Sequence, residues 1–176
     1  LEKAEKLKDI RKEADKLTEC YLKSVFFDMF GKYFEDKKYL KKIEFFTHDK
    51  NSIKAGPFGS SLKKESYVKK GYKIYGQEQV IKDDLKFGDY YINREKYLAL
   101  ENYKIKEGDI LISLVGTYGK ISIVPKDFEQ GIINPRLMKI TFDQTKMNPL
   151  FFKYLFLSPY IKSQLEQVSH CGTMDI

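Results

Sequence analysis

The first thirty residues carry a regular stripe of apolar side chains that no glycine or proline interrupts. Its members recur at spacings of three and four: Leu1, Ala4, Leu7, Ile10, Ala14, Leu17, Tyr21 and Val25. This spacing is typical of one face of an amphipathic or coiled-coil helix, and the other face mixes Glu with Lys. Gly31 is a natural helix C-terminus. We therefore predict a helix over residues 1–31, roughly 45 Å long.

A helix of that length exceeds the width of a small domain, so the first half of its stripe has no cover from its own domain. It needs a partner helix, from the same protein or from another chain. The alternative is a terminal helix that packs on its own domain. We predict that the partner-helix interface consists of Leu7, Ile10, Ala14, Leu17 and Tyr21.

After Gly31 the pattern changes to a second domain, residues 32–176, which is rich in short β-strands. Residues 43–46 suit a first strand or a short helix. The predicted strands cover 67–68, 72–75, 90–92, 109–115, 120–124 and 137–142, and the predicted helices cover 94–102, 150–157 and 159–167. Residues 109–115 and 120–124 read as a hairpin. The sequence thus predicts an α+β protein with a long N-terminal coiled-coil helix, a β-rich domain and short C-terminal helices.

Composition excludes several classes of protein. The hydrophobic share of 42% is ordinary for a globular chain and argues against disorder. The apolar runs are too short to span a bilayer. Two cysteines (Cys20, Cys171) and two histidines (His48, His170) give neither a disulfide framework nor zinc-site spacing. We expect a cytoplasmic protein.

The net charge of +7, from 32 Lys and Arg against 25 Asp and Glu, leaves two interpretations open. One is a composition that is simply rich in lysine. The other is a polyanionic partner such as DNA.

No arrangement of residues predicts an enzyme. There is no Walker motif, and the Gly116–Gly119 segment precedes a strand rather than a helix, so it is not a dinucleotide-binding loop. We expect a non-catalytic protein without a cofactor or a metal.

Two glycine-containing loops suit phosphate binding. Residues 54–64 combine glycines with Lys54, Ser60, Ser61, Lys63 and Lys64, and a second loop offers Thr117, Tyr118 and Lys120. Glycines let backbone N–H groups approach a phosphate, hydroxyls donate to its oxygens and lysines neutralise its charge. Residues of the types that read base edges are Gln77, Gln79, Asn93, Arg94, Asn134 and Arg136, and among them we predict that Gln77, Arg94, Asn134 and Arg136 contact DNA. The alternatives are a solvated turn and ordinary exposed polar side chains.

An ordered set of motifs carries a family resemblance. It comprises KAGPFGSSLK at 54–63, GYKIYG at 71–76, GDILIS at 108–113, Gly116 and Gly119, IINPRL at 132–137 and GTM at 172–174. This order resembles the target recognition domain of type I restriction–modification specificity subunits. The first helix, with RKEAD at 11–15 and FFDMFG at 26–31, is similar to the spacer helix of that family.

The resemblance implies a subunit with two recognition domains, each reading one half of a split double-stranded DNA site, separated by antiparallel spacer helices. It implies binding to modification subunits, which methylate the adenine amino group from S-adenosylmethionine, and to restriction subunits, which translocate and cleave DNA. The specificity subunit itself is not catalytic.

This chain departs from the family pattern because it holds one recognition domain and one spacer helix. We expect a fragment, a half-length subunit that dimerises, or a split gene product. A second class of function also stays open: the helix assembles copies of the chain and the β-rich domain binds protein rather than DNA.

Overall fold

The computed structural model describes residues 2–34, 36–58, 61–115 and 119–171. The fold is α+β: a long N-terminal helix, then a β-rich region, then short C-terminal helices. The chain divides into two compact units. The helical unit comprises Leu1–Lys41 and Tyr154–Ile176, and the β unit comprises Lys42–Lys153.

Helix α1 of the helical unit spans Glu2–Phe30 and is followed by a 3-10 turn at Gly31–Tyr33, so it ends where the sequence predicts. A second 3-10 turn lies at Lys37–Tyr39. Helix α5 spans Pro159–Cys171. Most of α1 is exposed, and Phe26 is its buried residue.

Aromatic packing sets the limits of the helical unit. The Phe26 ring lies 5.0 Å from Phe30, 6.3 Å from Phe34 and 5.9 Å from Tyr154, between ring centroids. The Phe34 ring lies 5.4 Å from Tyr160. Ring pairs at these separations add to the burial of apolar area. The end of α1 and the C-terminal segment therefore form one unit, whereas we predicted a boundary between residues 31 and 32.

The first sheet of the β unit is antiparallel, in the order β1-β8-β5-β6. Its strands are β1 (Ile53–Ala55), β5 (Ile110–Ser113), β6 (Ile121–Ile123) and β8 (Leu137–Ile140). Strands β5 and β6 form the predicted hairpin, with Ile112 opposite Ile121.

The second sheet has the order β2-β4-β3-β7, and its β3–β7 pair is parallel. Its strands are β2 (Tyr67–Val68), β3 (Tyr72–Tyr75), β4 (Tyr91–Ile92) and β7 (Gly131–Ile133). The helices are α2 (Gln77–Lys82), α3 (Arg94–Ala99) and α4 (Pro149–Phe156), whose last turn belongs to the helical unit. Further 3-10 turns lie at Ile43–Phe46, Lys50–Ser52, Lys64–Ser66 and Glu101–Tyr103.

The core of the β unit lies on both faces of the second sheet. Successive side chains of a strand point to opposite faces. Ile132 accordingly joins a cluster with Leu62, Ile74, Ile92 and Leu100, while Ile133 joins Tyr75, Val80, Leu85, Ile105, Leu111, Val124 and Leu137. The second cluster includes residues of both sheets, so it holds the sheets together.

Candidate nucleic-acid interface

Strand ends of the first sheet converge on one rim of the β unit. Ala55 pairs with Met138 and Ser113 pairs with Leu137, so β1 and β5 end where β8 begins. Strand β6 also begins there, because Ile121 lies opposite Ile112. We call this edge the rim and define it by Gly56–Phe58, Leu114–Val115, Gly119–Lys120 and Asn134–Arg136. The two predicted phosphate loops and the turn that carries the predicted residues Asn134 and Arg136 therefore all begin or end at this edge.

The Asn134–Arg136 turn passes from the second sheet to the first and is held by backbone hydrogen bonds from three directions. The Asn134 N–H donates to Tyr75 O at 2.8 Å, and the Leu114 N–H donates to Arg136 O at 2.9 Å. On the third side the Gly56 N–H donates to Leu137 O at 2.9 Å. Within the turn, Asn134 Oδ1 accepts from the Arg136 N–H at 2.9 Å, which is the local bond that favours Asn in turns.

Beside the rim lies a cavity of about 510 Å³, which we call the recess. Side chains from the second sheet, from α2 and from the Asn134–Arg136 turn line it. They are Leu62, Lys64, Tyr67, Ile74, Gly76, Gln77, Glu78, Gln79, Gly88, Tyr90, Asn134, Pro135 and Arg136. The recess therefore combines two tyrosines, three amides, two cations and one carboxylate.

Two glutamines at the start of α2 have different roles in the recess. Gln79 is buried and satisfied: its Oε1 accepts from the Gly76 N–H at 3.0 Å and its Nε2 donates to Phe87 O at 3.1 Å. Gln77, in contrast, has a buried Oε1 without a hydrogen-bond partner among the described residues. An unsatisfied buried acceptor costs about 1–3 kcal/mol. Gln79 is thus a positioning residue, and Gln77 holds unused hydrogen-bonding capacity.

Two tyrosines form the aromatic wall of the recess. Their ring centroids lie 5.5 Å apart with an interplanar angle of 54°. Tyr90 is 58% exposed, whereas Tyr67 is half-buried. Burial, reinforced by the neighbouring Tyr90, raises the pKa of Tyr67, so its hydroxyl stays a hydrogen-bond donor at neutral pH.

The structure brings together four of the predicted DNA-binding residues in the lining of the recess: Lys64, Gln77, Asn134 and Arg136. Ser61 and Lys63 are exposed on the segment that leads to Lys64, and Lys120 is exposed at the rim, where its carbonyl accepts from the Ser113 N–H. The predicted residues Ser60, Thr117 and Tyr118 lie outside the described residues.

Two predicted residues lie apart from this set. Lys54 is half-buried within β1, opposite Lys139. Arg94 begins α3, just after the end of β4, and that end of β4 pairs with the start of β3. Asn134 follows β7, whose end pairs with the end of β3. Arg94 and Asn134 therefore lie at opposite ends of the second sheet. The separation of Lys54 and Arg94 from the recess follows from strand direction, which single-residue chemistry does not reveal.

Sequence reasoning missed the apolar and aromatic part of this surface. Tyr67 and Tyr90 belong to the predicted strands 67–68 and 90–92, and both line the recess. At the rim, Phe58 is 68% exposed, Val115 is 52% exposed and Leu114 is also exposed. The apolar Phe58 between Pro57 and Gly59 is the one sequence signal that could have indicated an exposed apolar loop.

The predicted partner-helix stripe is exposed along α1. Leu7 is 67% exposed and Tyr21 is 68% exposed, and Ile10, Ala14 and Leu17 are also exposed.

Within the described part of the chain, no helix combines the length and apolar character of a membrane span. The same residues hold no cluster of three His, Cys, Asp or Glu side chains that could bind a metal ion.

Comparisons with known proteins give similarity to solved structures. The sequence matches no known protein family and no curated protein. One similar solved structure is described as "Structural basis underlying complex assembly and conformational transition of the type I R-M system". It covers 91% of this chain at a TM-score of 0.49 and 15% identity, and this chain spans 38% of its length.

Proposed function

We propose that the β unit is a sequence-specific double-stranded DNA-binding module that is not itself catalytic. The observation that carries this proposal is the convergence of β1, β5, β6 and β8 on one rim, with the cations Lys64 and Arg136 in the adjoining recess and Lys120 on the rim itself. Cations along one surface neutralise phosphates, which supplies affinity without sequence preference. Amide and guanidinium groups on the same surface supply discrimination between bases.

We further propose that the module reads one half of a bipartite site as the target recognition domain of a type I specificity subunit. The ordered motifs from residue 54 to residue 174 support this role. In this role its partners are double-stranded DNA, the modification and restriction subunits, and a second spacer helix from the same or another chain. The exposed stripe of α1 is the coiled-coil surface that such a second helix would cover.

The experiment is a fluorescence anisotropy titration with a labelled duplex, repeated over a series of salt concentrations, followed by selection of bound sequences from a randomised duplex pool. We expect binding that weakens linearly on a log–log plot against salt, and an enriched half-site. Absence of binding at low salt would contradict the proposal. Binding without enrichment would leave a DNA-binding protein that reads no sequence.

The same selection tests the residues that read bases. Arg136→Ala and Gln77→Ala should each change the enriched sequence, because one good bidentate contact discriminates by about 1–3 kcal/mol. An identical enriched site in both variants would remove these two side chains from base recognition.

A second candidate function is assembly by protein contact alone. Phe58 and Val115 at the rim favour it, because exposed apolar side chains mark contact surfaces when they cluster. In that case the chain would bind a protein partner and would give no duplex shift at any salt concentration. The duplex titration therefore separates the two functions.

A further inference from the structure

The amide oxygen of Gln77 is buried, unlike a group that reads base edges in a groove. Paired bases expose their edges at the floor of the major groove, which is about 8.5 Å deep and about 12 Å wide, so a protein reads them with groups that project outward. Gln77 instead lines a cavity of about 510 Å³ with its Oε1 buried. A buried atom does not project toward the floor of a groove. The amide of Gln77 can contact a base only if the base enters the recess.

The recess has the size and the chemistry for one nucleotide. Its volume lies within the range of about 300–1,000 Å³ that small-molecule pockets have. Tyr90 presents an exposed ring, which every nucleobase can stack on. Gln77 and Asn134 offer amides for a base edge, while Lys64 and Arg136 offer positive charge for a phosphate.

The hydrogen bonds already made in the recess show which amide groups are free to bind. Gln79 uses both ends of its amide on the protein backbone, so it shapes the wall and does not read a ligand. Asn134 uses its Oδ1 on the Arg136 N–H, which leaves its Nδ2 as a donor. Gln77 has an unpaired Oε1, which gains a partner if its amide turns toward a donor on the ligand.

We propose that the recess takes a single nucleotide that has left the base stack of the bound DNA, with its base against Tyr90 and its edge on the amides of Gln77 and Asn134. This inference rests on the proposed function, since the nucleotide comes from DNA held at the rim. It adds that one position of the site is recognised as an unstacked base rather than through the groove.

The test compares two duplexes of the same sequence, one fully paired and one with a single unpaired nucleotide at its centre. An unpaired base has already lost its pairing partner, so it enters a pocket at lower cost than a paired one. We expect the protein to bind the duplex with the unpaired nucleotide about tenfold more tightly, measured by anisotropy at one salt concentration. Equal affinity for the two duplexes overturns the inference but leaves the proposed function intact. Failure to bind either duplex overturns the proposed function itself.

Substitutions of recess residues test whether the unpaired nucleotide binds in the recess. Tyr90→Ala and Gln77→Ala should each remove most of the tenfold preference for the duplex with the unpaired nucleotide. Tyr90→Phe keeps the ring and should keep the preference. Gln130→Ala is the matched control, because Gln130 is exposed and precedes β7 at the end opposite Asn134. A preference that survives both Tyr90→Ala and Gln77→Ala places the nucleotide elsewhere and overturns the assignment of the recess.

Discussion

At the rim, Gly56 leaves no room for an added methyl group. A Cβ on Gly56 would lie 1.9 Å from Asn134 O and 3.0 Å from Pro135 Cα, both of them backbone atoms that cannot swing aside. A Cβ on Gly76 would lie 2.7 Å from Asn134 Nδ2. Gly56 is therefore required by the close approach of the backbone of the Asn134–Arg136 turn.

The first prediction concerns Gly56→Ala. We expect the unfolding free energy to fall by about 1–3 kcal/mol, because the new methyl group forces the Asn134–Arg136 turn away from β1. Urea unfolding measures the change, and duplex affinity should fall with it. Gly31→Ala is the control, because its Cβ would meet a flexible Phe27 ring at 3.3 Å rather than backbone. A loss below about 0.5 kcal/mol for Gly56→Ala would contradict the geometry of the turn.

Asp109 is a second residue whose surroundings predict behaviour. It is 1% exposed, and it accepts hydrogen bonds from the Thr141 hydroxyl at 2.6 Å and from the Lys106 N–H at 2.9 Å. Burial raises its pKa, and the hydrogen bonds and the nearby Lys139 only partly oppose that effect. The charged carboxylate is therefore tolerated in the folded state rather than favoured by it.

The second prediction concerns the pH dependence of stability, because burial raises the pKa of Asp109. Because the folded pKa lies above the unfolded value near 3.8, protonation of Asp109 stabilises the fold. This contribution is full below the unfolded pKa and is lost as pH rises through the folded pKa. The stability of the wild type relative to Asp109→Asn should thus increase as pH falls from neutral towards that unfolded value. Urea unfolding at several pH values measures it, and a difference that does not vary with pH would show that the carboxyl pKa is not raised.

At the scale of elements, α1 is the part of the molecule whose own sequence leaves an apolar face uncovered. Helices of this kind owe most of their stability to packing of that face rather than to helix propensity. The described structure covers only its C-terminal end, through Phe26 and the aromatic rings around it. We therefore expect α1 to associate with a partner helix along Leu7–Tyr21, whose apolar side chains are exposed.

The third prediction tests this association. The double variant Leu7→Lys and Leu17→Lys should lower the association state of the full chain in sedimentation velocity, because charges within an apolar helix interface are strongly unfavourable. The β unit should keep its folded spectrum. Glu5→Lys, on the opposite face, is the control and should not change sedimentation. Unchanged association of the double variant would mean that the stripe is not an interface.

Elements that follow from local periodicity could be predicted, and elements made by distant pairing could not. The stripe of α1 and the isoleucine-rich runs of β5 and β6 are local, so their limits agree with the sequence to within a few residues. Strand β7 has only three residues and begins with Gly131. It is held by parallel pairing with β3, where Gly131 lies opposite Lys73, 58 positions earlier in the chain. No local pattern marks such a strand. Helix α2 begins with three polar residues, Gln77, Glu78 and Gln79, so its sequence carries no apolar stripe.

At the scale of the whole molecule, the candidate site is an outcome of topology. The sequence gives the residue types, and Lys64, Gln77, Asn134 and Arg136 were predicted from them. Their meeting in one recess depends on the parallel β3–β7 pair, which carries Gln77 and Asn134 to the same end of a sheet. The same topology carries Arg94 to the opposite end. Residue types therefore indicate a nucleic-acid-binding surface, whereas the direction of the strands determines which of those residues line the recess.

The fourth prediction uses the ends of the first sheet as matched test positions. Lys63 lies on the segment that follows the rim and Lys120 lies on the rim, whereas the exposed Lys126 follows β6 at the far end of that sheet. Each phosphate contact releases counterions, so Lys63→Ala and Lys120→Ala should each lower the slope of log affinity against log salt by about 1. The loss of affinity should be similar for all duplexes, because phosphates carry no sequence information.

Lys126→Ala removes the same charge at the opposite end and should leave the slope unchanged. Net charge falls equally in the three variants, so a difference between them reports position rather than total charge. Anisotropy titrations of the wild type and the three variants at matched salt concentrations measure it. If Lys126→Ala lowers the slope as much as Lys120→Ala does, DNA is attracted by the overall charge of +7 and not by the rim. If only the Lys63 and Lys120 variants respond, the duplex lies across the strand ends that the first sheet brings together.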